Sequence, residues 1–104
     1  MRHKYAYLAG IMDGEGTFSY TLTANGRGEK HYYPRMCVGN TDKRLIYWLK
    51  GEFGGNVSMV KMVKYNANWK DMYRWQLQGK NVVILAKRLL PYLIVKQEQV
   101  LRVL

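Results

Sequence analysis

The sequence predicts an α+β domain with the element order α-ββα-ββα-α and one four-stranded antiparallel sheet carrying its helices on one face. Three observations lead there. Stretches that read as strands, the first and the last of them alternating apolar and polar residues, occur in two pairs, each pair is followed by a helical pattern, and glycines or turn-forming residues separate the members. A strand–turn–strand–helix unit thus occurs twice within 104 residues, a length that suits one domain, 1–104, around one core.

Leu8, Ile11 and Met12 share a face at helical spacing, and Gly14 and Gly16 are expected to stop this first helix. Residues 17–23 then alternate strictly, with Phe18, Tyr20 and Leu22 on one side, which predicts a half-buried strand. Residues 24–30 contain Asn25, Gly26 and Gly28, the composition of a hairpin loop. The second strand covers 31–38, where Pro34 implies an edge position or a bulge. Asn40, Thr41 and Asp42 open a helix that runs through Glu52, with Leu45, Leu49 and Phe53 at i, i+4 and i+8 and Gly54-Gly55 closing it.

Residues 56–64 read as a third strand, 65–70 as a turn and 71–78 as a fourth strand. In the fourth, Tyr73, Trp75 and Leu77 alternate with Arg74, Gln76 and Gln78. Gly79, Lys80 and Asn81 lead into a helix with Val82, Leu85, Ala86, Leu89 and Leu90 as its apolar positions. Pro91 breaks or restarts it, and residues 92–104 are expected to form the last helix.

Charge narrows the function. Seventeen Lys and Arg against seven Asp and Glu give a net charge of +10, which implies a polyanionic partner, either nucleic acid or an anionic membrane surface. With 48% apolar and 23% charged residues, the chain is not of the disordered class. The single Cys37 excludes a disulfide scaffold and a multi-cysteine zinc site, and fits a reducing compartment. His3 and His31 lack metal-ligand spacing and read as surface residues. No apolar run approaches the roughly 18 residues of a membrane span, and the N-terminus lacks the long apolar region of a signal peptide. An intracellular protein, cytoplasmic or organellar, is expected.

Helices on one sheet face leave the other open. That face should hold Ser19, Thr21, Thr23, Arg35, Arg74, Gln76 and Gln78, with Lys61 or Lys64 added according to the register of the third strand. A polar face is often merely solvated. Here it carries Arg, Lys and Gln with few carboxylates in a chain of +10, and both Arg and Gln can contact base edges bidentately, so nucleic-acid binding is the favoured reading.

Residues 8–16, Leu-Ala-Gly-Ile-Met-Asp-Gly-Glu-Gly, are the most informative stretch. Ala6, Gly10 and Gly14 recur every four residues, a small-residue stripe that admits a second helix backbone or, equally, a tight contact with the chain's own sheet. Asp13 and Glu15 flank Gly14 where the helix should end. Carboxylates beside free backbone carbonyls suit a hard divalent cation such as magnesium, although acidic turns after helices are ordinarily just solvated.

This stretch closely resembles the LAGLIDADG motif of the homing endonucleases. Six of nine positions agree, counting Glu15 as equivalent to the motif's second aspartate; Ile11 and Met12 are apolar replacements and Gly14 replaces alanine. The element order is that of the family across essentially the whole chain. The stretches 38–43 (Val-Gly-Asn-Thr-Asp-Lys), 53–57 (Phe-Gly-Gly-Asn-Val) and 90–93 (Leu-Pro-Tyr-Leu), the last followed by Lys96, also look like segments of its members.

The resemblance implies a job for each position. Two motif helices would pack side by side, with Gly10 and Gly14, in line with Ala6, permitting the contact. One motif per chain would then require a homodimer and a near-palindromic DNA site. Glu15 would hold the catalytic Mg2+ or another divalent cation, the Gly14 carbonyl would complete the ligand set, and Asp13 would cap and brace the helix pair. Lys96 would stand at the active site near the scissile phosphate, Asn40 would support the water network, and Arg44 would join Lys96 as a basic partner. On residue chemistry alone, Lys96 could snorkel from the apolar stripe of Leu93 and Val100, and Asn40 could equally cap the second helix.

The function implied is metal-assisted hydrolysis of both strands of a long double-stranded DNA site. The alternative on the same fold is a non-catalytic nucleic-acid-binding module or a splicing maturase that binds its own intron RNA. A basic surface anchor using the last helix, with Lys96 and Arg102, is a third possibility, but core packing explains that helix better and no membrane partner is expected.

Overall fold

The computed structural model describes residues 3–24, 26–28, 30–61 and 70–103; the side chains of residues 21–24 and of Val103 lie outside that description. The elements are α1 (Lys4–Glu15), β1 (Gly16–Ala24), β2 (Lys30–Asn40), α2 (Lys43–Phe53), β3 (Asn56–Val60), β4 (Met72–Gln78), α3 (Lys80–Leu89), a 3₁₀ turn (Leu90–Tyr92) and α4 (Gln97–Val103). The α+β class and the α-ββα-ββα-α order are those expected. All four strands form one antiparallel sheet in the order β1-β2-β4-β3.

One sheet face carries the core. Phe18, Met36, Val38, Trp75 and Leu77 are buried on it, against Leu8, Ala9 and Met12 of α1, Ile46 and Leu49 of α2, and Val82, Leu85, Ala86 and Leu89 of α3. Leu93 and Val100 close the last edge. Trp75, fully buried, needs a partner for its indole N–H, and donates it to the Gly54 carbonyl at 2.7 Å. Gly54 and Gly55 end α2 with φ of +77° and +92°, and a Cβ on Gly55 would lie 2.4 Å from the Gln76 carbonyl oxygen.

Several boundaries depart from the sequence reading. Gly14 does not stop α1; the helix runs through it to Glu15, and Gly16 turns the chain directly into β1. Gly16 is required there because a Cβ would come within 2.7 Å of the Met12 backbone. Pro34 lies in a central strand rather than an edge, without a bulge: its pairing with Tyr20 is in register, and β4 begins to pair with β2 only at Arg35. The missing N–H therefore falls beyond the end of that ladder.

Asn40 belongs to β2, and the N-cap of α2 is Asp42, whose side chain accepts the Arg44 amide. β3 ends at Val60; residues 62–69, with Lys64 and most of the expected turn, lie outside the described residues. The last helix starts at Gln97 rather than Tyr92, because the amides of residues 94–96 bond to Asp13 instead of continuing a helix. No described helix is long and apolar enough to cross a membrane.

Candidate active site and nucleic-acid interface

The two sides of α1 set up the site. Leu8, Ala9 and Met12 anchor one side in the core. Ala6, Gly10 and Gly14 lie exposed on the other, and a Cβ placed on either glycine meets nothing within 4 Å. The stripe is therefore not used against the chain's own sheet.

Where α1 ends, four elements converge. Glu15 is exposed, and Asn40, at the end of β2, donates from Nδ2 to Glu15 Oε2 at 3.1 Å. The Asn40 Oδ1 accepts the Asp42 amide at 2.8 Å, so one side chain links the carboxylate to the start of α2. Asn40 is thus hydrogen-bonded to Glu15, and the N-cap of α2 is Asp42. From the bend before α4, Lys96 sends its ammonium to the carbonyl of Gly16, the residue after Glu15. Lys96 is not inside the last helix, as its spacing from Leu93 and Val100 suggested; it precedes it, and its own carbonyl accepts the Val100 amide at 3.1 Å.

Asp13 holds that bend in place. Its Oδ2 accepts the Ile94 amide at 2.8 Å, and its Oδ1 accepts those of Val95 at 3.1 Å and Lys96 at 3.0 Å. Burial pushes the Asp13 carboxyl up, but the three amides and the nearby Lys96 charge outweigh it and hold the group below its ordinary value. These bonds are made inside its own chain, to the segment that carries Lys96, a partner the sequence did not indicate.

Arg44 is the expected site residue that does not join this cluster. Its Nη2 lies 2.7 Å from Asp42 Oδ2 and its Nε also donates to Asp42; the contacts described for it are with Asp42, not with Glu15 or Lys96. The side-chain and backbone bonds from Arg44 hold the Asp42 carboxyl down to about 2, and Asp42 raises the arginine in return.

The open sheet face is defined by register. Ser19, Arg35 and Gln78 form one row across β1, β2 and β4; Thr17, Cys37, Gln76 and Asn56 form the next across all four strands; Gly39, Arg74 and Ser58 form a third. Thr21 and Thr23 fall on the same side by alternation, opposite Tyr33 and His31, with their side chains outside the described residues. No carboxylate occupies these rows among the described residues. Lys61 is a correction: it lies beyond the end of β3 and follows Val57 and Met59, which pair with Trp75 and Tyr73 on the helix side, so the register does not add it to the face. Thr17, Asn56 and Ser58 were missed, although strict alternation from Phe18 and Val57 locates them.

The sequence also gave no hint that Ile94 and Val95, 85% and 72% exposed, would be held beside the motif helix by Asp13. Among the described residues no group of three or more His, Cys, Asp or Glu side chains could enclose a metal ion. One chain offers Glu15 and backbone carbonyls.

Together these features define the fold of the LAGLIDADG homing endonucleases. The chain is similar to the homing endonuclease I-CvuI, solved in complex with a DNA target in the presence of magnesium, with a TM-score of 0.74 at 21% identity over 95% of this chain and 62% of that one. It is also similar to the archaeal intron-encoded homing endonuclease I-Vdi141I complexed with DNA, with a TM-score of 0.73 at 18% identity over 96% of this chain and 64% of that one. The LAGLIDADG meganuclease I-CpaMI, bound to uncleaved DNA, gives 0.63 at 20% identity over 90% of this chain and 32% of that one. The chain therefore spans less than two-thirds of the first two and about a third of the last. No protein-family model matches the sequence, and no curated protein does.

Proposed function

We propose that this chain is a site-specific endonuclease for double-stranded DNA that acts as a homodimer and requires a divalent cation. The observation that carries the reading is the exposed glycine side of α1 ending in Glu15, with Asn40 and Lys96 gathered at the same end. A second copy of α1 fits the open side over Gly10 and Gly14, and the exposed Ile94 and Val95 flank it. Two copies bring two Glu15 carboxylates to the junction of two open sheet faces.

The donor set fits magnesium: Glu15 and the Gly14 carbonyl are hard oxygens, and one chain alone provides too few side chains to enclose an ion. Glu15 and the Gly14 carbonyl would hold such a cation, which when bound would supply water activation and charge neutralisation at the phosphate. The chain's own residues supply the rest. Asn40 holds Oε2 of Glu15 and so orients its carboxylate, and the Lys96 ammonium places a positive charge beside the same turn, where an anionic phosphate would lie. The carboxylate-free sheet face reads the duplex, while exposed lysines and arginines position its backbone.

The deciding experiment selects bound duplexes from a randomised pool in calcium and then adds magnesium to the winner. Double-strand cleavage that disappears in Glu15→Gln, with binding retained, supports the proposal. Tight, near-palindromic binding with no cleavage would overturn it in favour of a non-catalytic binding module or a maturase acting on its intron RNA.

A further inference from the structure

Two arginines on the open sheet face differ in kind from the other cations among the described residues. Arg35 is half-buried, its Nε is wholly covered, and that N–H has no hydrogen-bond partner. Among the described residues neither Arg35 nor the half-buried Arg74 makes a hydrogen bond or an ion pair. Arg44 shows the contrast: it is 88% exposed along its side chain and doubly bonded to Asp42. A guanidinium that is partly desolvated and unpaired is unfavourable unless an acceptor arrives from outside. Such an arginine breaks nothing on meeting a ligand, whereas Arg44 must first give up Asp42.

The register gives the two arginines a defined separation. Arg35 stands opposite Gln78, and Arg74 stands opposite Gly39, four residues further along β2. At about 3.4 Å per residue this is roughly 14 Å along the strands, and base pairs rise about 3.4 Å apart. The two guanidinium groups thus reach base pairs within about four steps of each other. Their row neighbours are neutral: Ser19 and Gln78 beside Arg35, Gly39 and Ser58 beside Arg74. A planar donor fork without a competing carboxylate matches the paired acceptors O6 and N7 of guanine in the major groove.

We infer that Arg35 and Arg74 are the two principal specificity determinants of the sheet, each requiring a guanine, and that the two guanines lie within about four base pairs of each other in each half of the recognised sequence. This rests on the proposed binding of double-stranded DNA. Ser19, Gln76 and Gln78 make weaker, more permissive contacts around these anchors.

The test is the same duplex selection in calcium, performed with wild type, Arg35→Ala, Arg35→Lys, Arg74→Ala and Arg44→Ala, with folding checked by circular dichroism. Wild type should enrich, in each half of the near-palindromic site, two near-invariant G·C pairs within about four positions of each other. Arg35→Ala should relax one of them by about tenfold to a hundredfold and leave the other. Arg74→Ala should do the reverse, and Arg35→Lys should relax its position partly because lysine lacks the fork. Arg44→Ala should weaken all sequences alike. If Arg35→Ala and Arg74→Ala also weaken all sequences alike, or the same position responds to both, the assignment is overturned while the DNA-binding reading stands. If wild type enriches no sequence, both fail.

Discussion

Asn40 and Glu15, 25 positions apart, are joined by a 3.1 Å hydrogen bond from Nδ2 to Oε2 that ties the end of β2 to the end of α1. The same asparagine accepts the Asp42 amide through Oδ1, so it is fixed from both sides and can in turn fix the carboxylate. In the proposed function Glu15 is a metal ligand, and a group that orients such a ligand typically contributes 10–100-fold in affinity or activity. Asn40→Ala should therefore slow single-turnover cleavage in magnesium by about 10–100-fold while leaving duplex affinity in calcium unchanged. An equal loss in both would show that Asn40 only supports the fold.

Gly10 should separate folding from assembly. It lies inside α1 with nothing within 4 Å of a Cβ, and glycine costs a helix about 0.5–1 kcal/mol relative to alanine. Gly10→Leu should keep the monomer at least as stable and abolish the dimer proposed above, read as half the wild-type mass by sedimentation. A dimer that persists would mean that α1 is not the contact.

Much of this arrangement was legible in the sequence, because period-2 and period-3.6 patterns report burial directly. Alternation around Phe18, Trp75 and Leu77 located the core and its opposite face, and the order of elements followed. What the sequence could not locate depended on contacts between distant residues. The last helix was read as beginning at Tyr92 because Leu93 and Val100 suit helical spacing; three amides of that segment are instead taken by Asp13, more than 80 positions away. Lys96 reaches Gly16 for that reason, and no local pattern announces it. Arg44 was drawn toward Lys96 by resemblance, while the carboxylate two residues before it holds it elsewhere.

A pair of glycine substitutions in α2 and the turn after it should have opposite signs. Gly55 has φ of +92° and a Cβ would sit 2.4 Å from the Gln76 carbonyl oxygen, whereas Gly51 is helical, exposed and open around its Cβ position. Gly55→Ala should destabilise the protein by about 2 kcal/mol or more. Gly51→Ala should stabilise it by about 0.5–1 kcal/mol. Chemical denaturation of both variants checks the contrast, and equal effects would contradict the close approach of Gly55 to β4.

Acid should loosen the segment that carries Lys96. The folded-state carboxyl of Asp13 lies below its ordinary value, so it contributes stability that is present above the unfolded value near about 3.9 and is lost as pH falls through the depressed folded value. Asp42, held down to about 2 by Arg44, loses its contribution in the same direction, between about pH 4 and pH 2. Asp13→Ala leaves the amides of Ile94, Val95 and Lys96 without their acceptor, and should cost about 1–3 kcal/mol at neutral pH. Its stability should then fall less steeply than wild type below pH 4, because the titrating group is gone while Asp42 remains. Protection of the three amides against hydrogen exchange, relative to their intrinsic rates, should be lost at pH 7 in the variant and, in wild type, only on acidification. Parallel stability–pH curves for the two proteins would show that Asp13 does not hold this bend.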